Sequence, residues 1–252
     1  ARRASSEHQA DVVVFPELCL TGYPPEDLLL RPSMEVRVSE ALEKLQAERL
    51  DPVIVIGAPL RHGALLYNAA VVIDGGEITG RYFKRFPPNY QVFDEKRYFS
   101  AGDSPCVVSF EGIQFGLTIC EDIWHPEPAA LSKAAGAQVL LNLNASPFHR
   151  GKQAERVAQV AACARDNELA VLYVNQVGGQ DELVFDGRSF VINRDRALKA
   201  QAKAWESQLL ITKWLKDGDG WGCVDSDIAP DPVSDDARLR GVYRAMVLGL
   251  RD

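Results

Sequence analysis

Three reactive side chains sit where short apolar runs end. Glu17 follows Val12–Pro16, Lys84 lies in Gly80–Phe86, and Cys120 closes Phe115–Cys120 ahead of Glu121 and Asp122. In layered α/β proteins the ends of strands are where side chains converge on a crevice. Taken one at a time, each has a plain structural reading: a solvated carboxylate, an outward residue on a hairpin, a small core thiol. Together they form a set with a defined chemistry. A cysteine nucleophile needs a base, because little of it is thiolate at neutral pH. A buried carboxylate can serve as that base. An ammonium beside both favours the thiolate and can hold an oxyanion. Glu, Lys and Cys therefore suffice for acyl transfer without histidine. A Cys–His pair using His125 or His149 is the competing arrangement. His125 lies only five residues after Cys120, and neither histidine has an evident orienting partner.

The elements that must position these residues alternate between strand and helix signals. Asp11–Phe15 reads as a buried strand stopped by Pro16, and Val53–Ala58 as a β-branched strand. Leu65–Ile73 and Ile78–Phe86 flank Asp74-Gly75-Gly76-Glu77, whose glycines suit a tight hairpin turn. Val107–Phe110 and Ile113–Ile119 read as a second hairpin. Val139–Leu143, Val171–Val174, Arg188–Ile192, Leu198–Trp205 and Leu209–Trp214 read as further strands. Helices are expected at Ser33–Leu50, Pro128–Ala135 and Gln153–Asn167, the last with Val157, Val160, Ala161 and Ala164 facing inward. The opening residues read as the end of a helix, and Leu239–Leu250 as an amphipathic helix. The pattern predicts one α/β domain over 1–216. An exposed linker rich in Asp, Gly and Pro is expected over 217–236.

Composition narrows the function further. The chain has 252 residues, with 28 Lys+Arg against 35 Asp+Glu and a net charge of −7. An acidic chain is a poor nucleic-acid binder, since a basic patch is the usual footprint. No apolar run approaches the ~18 residues of a membrane span. Five cysteines without close pairing disfavour a disulfide framework and suit a reducing cytoplasm. The histidines and cysteines lack short metal-ligand spacing, and no phosphate-cradling glycine loop is present.

Phe15-Pro16-Glu17, Lys84 and Cys120–Trp124 resemble the nitrilase superfamily of carbon–nitrogen hydrolases. Longer stretches, FPELCLTGYPPEDLL from Phe15, PNYQVFDEKRYF from Pro88 and NQVGGQDELVFDG from Asn175, are similar to the glutaminase domains of glutamine-dependent NAD+ synthetases. The resemblance implies a four-layer αββα sandwich. It makes Glu17 the base, Lys84 the oxyanion stabiliser and Cys120 the nucleophile, with Glu95 a supporting carboxylate near Lys84. It places substrate contacts at Tyr90, Trp124, Ser146 and Lys152, the last a cation suited to the carboxylate of L-glutamine. It implies no cofactor in this domain, and ATP and Mg2+ in a synthetase domain of which 237–252 would be the start. It also implies that the family's first strand is missing before Ala1, and a homo-oligomer. Two rivals stay open: a stand-alone amidase, carbamoylase or nitrilase with the same triad, and a non-catalytic assembly module.

Overall fold

The computed structural model describes residues 1–228 and 237–252. After helix α1 (Arg2–His8), strand β1 (Val12–Val14) lies parallel to β2 (Val53–His62). Helix α2 (Pro32–Ala47) connects the two. β3 (Leu65–Asp74) and β4 (Glu77–Phe83) continue the sheet as antiparallel neighbours, in the order β1-β2-β3-β4. Asp74 pairs directly with Glu77, so Gly75 and Gly76 form a two-residue turn, both at positive φ (55° and 89°).

The second sheet holds six strands among the described residues. β5 (Val107–Phe110) and β6 (Ile113–Ile119) form a hairpin. β6, β7 (Val139–Asn144) and β8 (Ala170–Asn175) then run parallel, joined by helices α3 (Pro126–Ala134) and α4 (Lys152–Asn167). A small antiparallel pair, β9 (Val177–Gln180) and β10 (Leu183–Asp186), precedes β11 (Phe190–Ile192) and β12 (Leu198–Gln201). These last two complete the order β12-β11-β8-β7-β6-β5.

The alternation of side chains along each strand assembles the layers. In β2 and β3, Val53, Val55, Ala70 and Val72 face the second sheet, where they meet Leu117, Ile119, Val139, Leu141 and Leu143. Ile54, Ile56, Val71 and Ile73 point the other way, onto Val38 and Leu42 of α2. On the far side, Leu140, Val171, Phe190 and Ile192 pack under Ala129 of α3 and Val160 and Ala164 of α4. The order is helix, sheet, sheet, helix. Strands covered on both faces read as continuous apolar runs, which is why Val53–Ala58 and Val139–Leu143 show little alternation in sequence. Each buried Val, Leu or Ile contributes roughly 1.5–3 kcal/mol.

Several expectations differ from the structure, and the strands expected over Arg188–Ile192 and Leu209–Trp214 begin only at Phe190 and Thr212. The strand expected over Leu198–Trp205 stops at Gln201. The linker expected over 217–236 begins instead with a hairpin: β13 (Thr212–Asp217) pairs with β14 (Gly220–Ser226), turning at Gly218 with φ 64°. Asp-Gly-Asp-Gly suits a linker and a tight turn equally. Pairing of Trp214 with Cys223, packed against Val191 and Ala200, selects the turn. The remainder of that stretch, 229–236, lies outside the described residues. Helix α5 (Ala237–Arg251) packs on β9 and β10 through Leu248 and Gly249, with Leu239, Tyr243, Met246 and Leu250 exposed.

The backbone that carries Glu17 crosses β2 at Gly57. A Cβ there would stand 2.3 Å from the Leu18 nitrogen and 2.4 Å from the Pro16 oxygen. Both obstacles are main chain, so no side chain can swing aside. Gly57→Ala is expected to cost about 1–3 kcal/mol, the scale of an overpacked core, or more. Urea unfolding of the variant and the wild type measures it, and equal midpoints would show that the crossing yields freely.

Candidate active site

β1 runs into Pro16, and the chain turns sharply, with Leu18 at φ 45°. That turn drops Glu17 into the space between the sheets, with no solvent exposure. Lys84 is the first residue after β4 and is equally buried. Glu95 opens a single 3-10 turn, Glu95–Arg97. The Lys84 ammonium donates to Glu17 Oε1 and to Glu95 Oε1, each at 2.7 Å. Asn68 of β3 donates through its amide to Glu17 Oε1 at 2.7 Å and to Glu95 Oε2 at 3.3 Å. The Tyr23 hydroxyl donates to Glu95 Oε1 at 2.8 Å, and the Ala145 backbone N–H to Glu17 Oε2 at 2.8 Å.

Burial alone would strip the proton from Lys84, but the carboxylates of Glu17 and Glu95 outweigh it and hold the ammonium well above its ordinary range. Burial pushes the Glu95 carboxyl up, against the pull of Lys84. Two of the three ammonium hydrogens are committed to carboxylates. The third is available for a substrate oxygen.

Cys120 follows β6 and opens a 3-10 turn, Cys120–Trp124, at φ 45°. A non-glycine residue in that region is strained and persists only where its surroundings hold it. Asp122, fully buried, supplies the hold. Its Oδ2 accepts from the Ile119 N–H (3.0 Å) and the Tyr82 hydroxyl (2.8 Å). Its Oδ1 accepts from the N–H groups of Arg85 (3.0 Å) and Phe86 (2.9 Å). One carboxylate thus ties the turn bearing Cys120 to the segment that follows Lys84.

Lys84 does not leave Cys120 ionised at rest, contrary to what an isolated ammonium beside a thiol implies. Burial pushes the thiol well up, and Glu17, Glu95 and Glu121 add to this against the opposing pull of Lys84. Three carboxylates thus oppose one ammonium around the thiol. The resting group is the thiol, and its proton must leave as the sulfur reacts.

The outer residues are placed less uniformly. Tyr90 is 48% exposed and donates its hydroxyl to Glu121 at 2.8 Å. The Lys152 ammonium, at the first turn of α4, lies 4.6 Å from the centre of the Trp124 ring and 3.3 Å from Glu155. Ser146 is buried, its Oγ accepting from Arg156 Nε at 3.1 Å. His125 stacks on Phe86 and lies 3.8 Å from Glu121, and His149 lies 3.7 Å from Glu155. Neither pairs with Cys120. No group of acidic, histidine or cysteine side chains among the described residues could hold a metal ion, and no helix among them is long and apolar enough to cross a membrane.

Asn68, Tyr23, Asp122 and Arg156 were not legible as site residues. Asp122 and Tyr23 lie within the stretches that carry the family resemblance. Arg156 interrupts the apolar face of α4, which was a signal. Asn68 gives none, being one polar residue in a strand.

A family model described as carbon–nitrogen hydrolase matches residues 1–214. A glutamine-dependent NAD(+) synthetase of Xanthomonas campestris is 43% identical, over 99% of this chain and 45% of that relative. One from Aquifex aeolicus is 44% identical, over 80% of this chain and 36% of the relative. The chain thus spans less than half the length of these relatives. The solved structure of the Acinetobacter baumannii glutamine-dependent NAD+ synthetase with ADP superposes with a TM-score of 0.89 at 37% identity, covering 99% of this chain and 46% of that one. An amidase of the nitrilase superfamily from Nesterenkonia gives 0.71 at 26% identity, covering 79% of this chain and 76% of that one.

All five thiols are shifted upward, chiefly by burial, Cys19 to about 12 and Cys163 to about 11. A raised thiol contributes stability that is fully present below the unfolded value of about 8.5 and is lost as pH climbs towards the folded value. Ultraviolet titration of the native protein to about pH 9.5 should therefore show little thiolate, and the unfolded chain close to its full complement. Stability should fall over the same window. A native thiolate signal mapped to Cys120 would contradict the electrostatics described.

Proposed function

Because the chain belongs to the carbon–nitrogen hydrolase family, matched over residues 1–214, we propose that it hydrolyses the side-chain amide of L-glutamine through a thioester on Cys120. The observation that carries this reading is the buried Glu17–Lys84–Glu95 cluster within electrostatic reach of a cysteine held on a strained turn. The names and coverage of the relatives supply the substrate.

The chemistry follows from the charges. Cys120 starts as a thiol. As its sulfur bonds to the amide carbon, the S–H proton passes to Glu17 and the carbonyl electrons move onto oxygen. The remaining Lys84 N–H meets that oxyanion. Glu95 keeps Lys84 charged and aimed. Glu17 then gives its proton to the departing nitrogen, and ammonia leaves with the C–N bond. Water attacks the thioester as Glu17 takes its proton. Collapse breaks the C–S bond and releases glutamate, and Glu17 returns the proton to the departing sulfur, restoring the thiol and its own carboxylate. In this scheme Tyr90 and Trp124 wall the substrate, Ser146 lines it, and Lys152 meets its α-carboxylate.

The ammonia would serve an ATP-dependent conversion of deamido-NAD+ to NAD+ in a longer protein, with ATP and Mg2+ acting in a synthetase domain for which 237–252 is the start. We place the protein in the cytoplasm as a homo-oligomer. The stand-alone amidase reading draws support from the Nesterenkonia likeness, and differs in substrate rather than in triad.

Cys120→Ala should abolish release of ammonia from glutamine. Lys84→Ala should lower kcat by about 10²–10³, the loss of one oxyanion donor, whereas Lys152→Ala should mainly raise KM. Steady-state assays across simple amides test all three. Turnover of propionamide but not glutamine by the wild type would favour the stand-alone amidase, and an active Cys120→Ala would remove the nucleophile.

A further inference from the structure

Arg156 is fully buried on α4, one turn ahead of Val160, from which the helix packs on the sheet through apolar groups. Its five N–H groups all find acceptors. Nε donates to Ser146 Oγ (3.1 Å). Nη1 donates to Asp186 Oδ1 (2.8 Å) and Gln153 Oε1 (3.3 Å). Nη2 donates to the backbone oxygens of Ser146 (2.7 Å) and Pro147 (3.0 Å). Asp186 balances the charge, and one contact would do that. Three of the five bonds fall instead on two consecutive residues. A buried ion pair is often no more stabilising than apolar side chains of the same volume, so stability alone is a weak account of it. The planar fork is suited to fixing a backbone at two adjacent carbonyls.

The residue just before that pinned pair is Ala145, whose N–H donates to Glu17 Oε2. The other oxygen of the same carboxylate is taken by Lys84 and Asn68. Three donors on two oxygens define the plane of the group, and among the described residues Ala145 supplies the one hydrogen bond on the Oε2 side. Asn175, at the end of β8, holds the same segment independently. Its Oδ1 accepts the Ser146 N–H at 2.8 Å, and its Nδ2 donates to the Ser146 oxygen at 3.2 Å.

We infer that Arg156 is a positioning residue for the general base: by fixing residues 145–147 it keeps the Ala145 N–H on Glu17 and so sets the plane of the carboxylate that takes the thiol proton. The inference rests on Glu17 acting as base, and not on glutamine being the substrate. The titratable groups facing Glu17 are Lys84 from the end of β4, Glu95 from its 3-10 turn, Tyr23 from the segment after β1 and Cys120 from the end of β6. The neutral donors are Asn68 and the Ala145 amide.

The test is the pH dependence of Cys120 modification by chloroacetamide, a neutral electrophile of amide shape. It is followed by peptide mapping in the wild type, Arg156→Lys and Asn175→Ala. Loss of an N–H donor favours the protonated carboxyl. In Arg156→Lys the acid limb of the rate profile should therefore move towards higher pH, with the modification rate on that limb falling about tenfold. Asn175→Ala leaves the buried ion pair whole and should move the limb the same way by a smaller amount. Glutamine kcat should fall in parallel with KM nearly unchanged. A profile identical to wild type in folded Asn175→Ala, or an effect confined to KM, overturns the inference. Should the wild type fail to turn over glutamine, the substrate reading falls, and the modification profiles still decide the role of Arg156.

Discussion

An ammonium removed from water is tolerable only if anionic groups close around it, and that requirement organises the centre of this protein. Lys84 has no solvent exposure and lies 2.7 Å from each of two carboxylates. Those carboxylates are themselves buried, so each needs further donors. Asn68, Tyr23 and the Ala145 amide provide them. Removing any one partner would leave a charge in a low-dielectric space, where the penalty is several kcal/mol. The cluster is therefore rigid because it is costly to disturb. Burial first, and then the carboxylates of the cluster, push the neighbouring thiol well up against the pull of Lys84.

The two facing sheets make this cluster reachable by the chain. Glu17 comes from the end of β1, Asn68 from β3, Lys84 from the end of β4 and Cys120 from the end of β6, so both sheets contribute to one space. The apolar side chains between the sheets exclude water from it. Two buried polar anchors hold the loops above that core. Asp122 joins the turn of Cys120 to the segment after Lys84, and Arg156 fixes the segment that touches Glu17. Strain at Leu18 and Cys120, both at φ 45°, is kept in place by these contacts.

The layered α/β plan was legible because strands covered on both faces leave continuous apolar runs, and because Asp74-Gly75-Gly76-Glu77 names its own turn. Glu17 and Cys120 stood out because each follows such a run, and Lys84 because it lies at the end of the hairpin strand β4. Other features depend on contacts that a linear reading does not contain. Asn68 joins carboxylates 51 and 27 residues away, and nothing in its strand marks it. The β13–β14 hairpin shares its composition with a linker. The raised thiol of Cys120 follows from burial together with three carboxylates set against one ammonium, whereas residue types alone did not show how deeply the thiol is buried. Arg156 lies on the buried face of α4, and nothing in the linear sequence shows what it holds.

In the proposed chemistry the resting thiol of Cys120 becomes a thioester during amide hydrolysis, its proton carried by Glu17. Rapid acid quench of the wild-type protein during glutamine turnover, followed by mass spectrometry of the peptides, observes that bond directly. The expected result is one γ-glutamyl group on the peptide bearing Cys120, absent without substrate and discharged by hydroxylamine. Sustained ammonia release with no adduct at any quench time, or with the adduct on another residue, would contradict it.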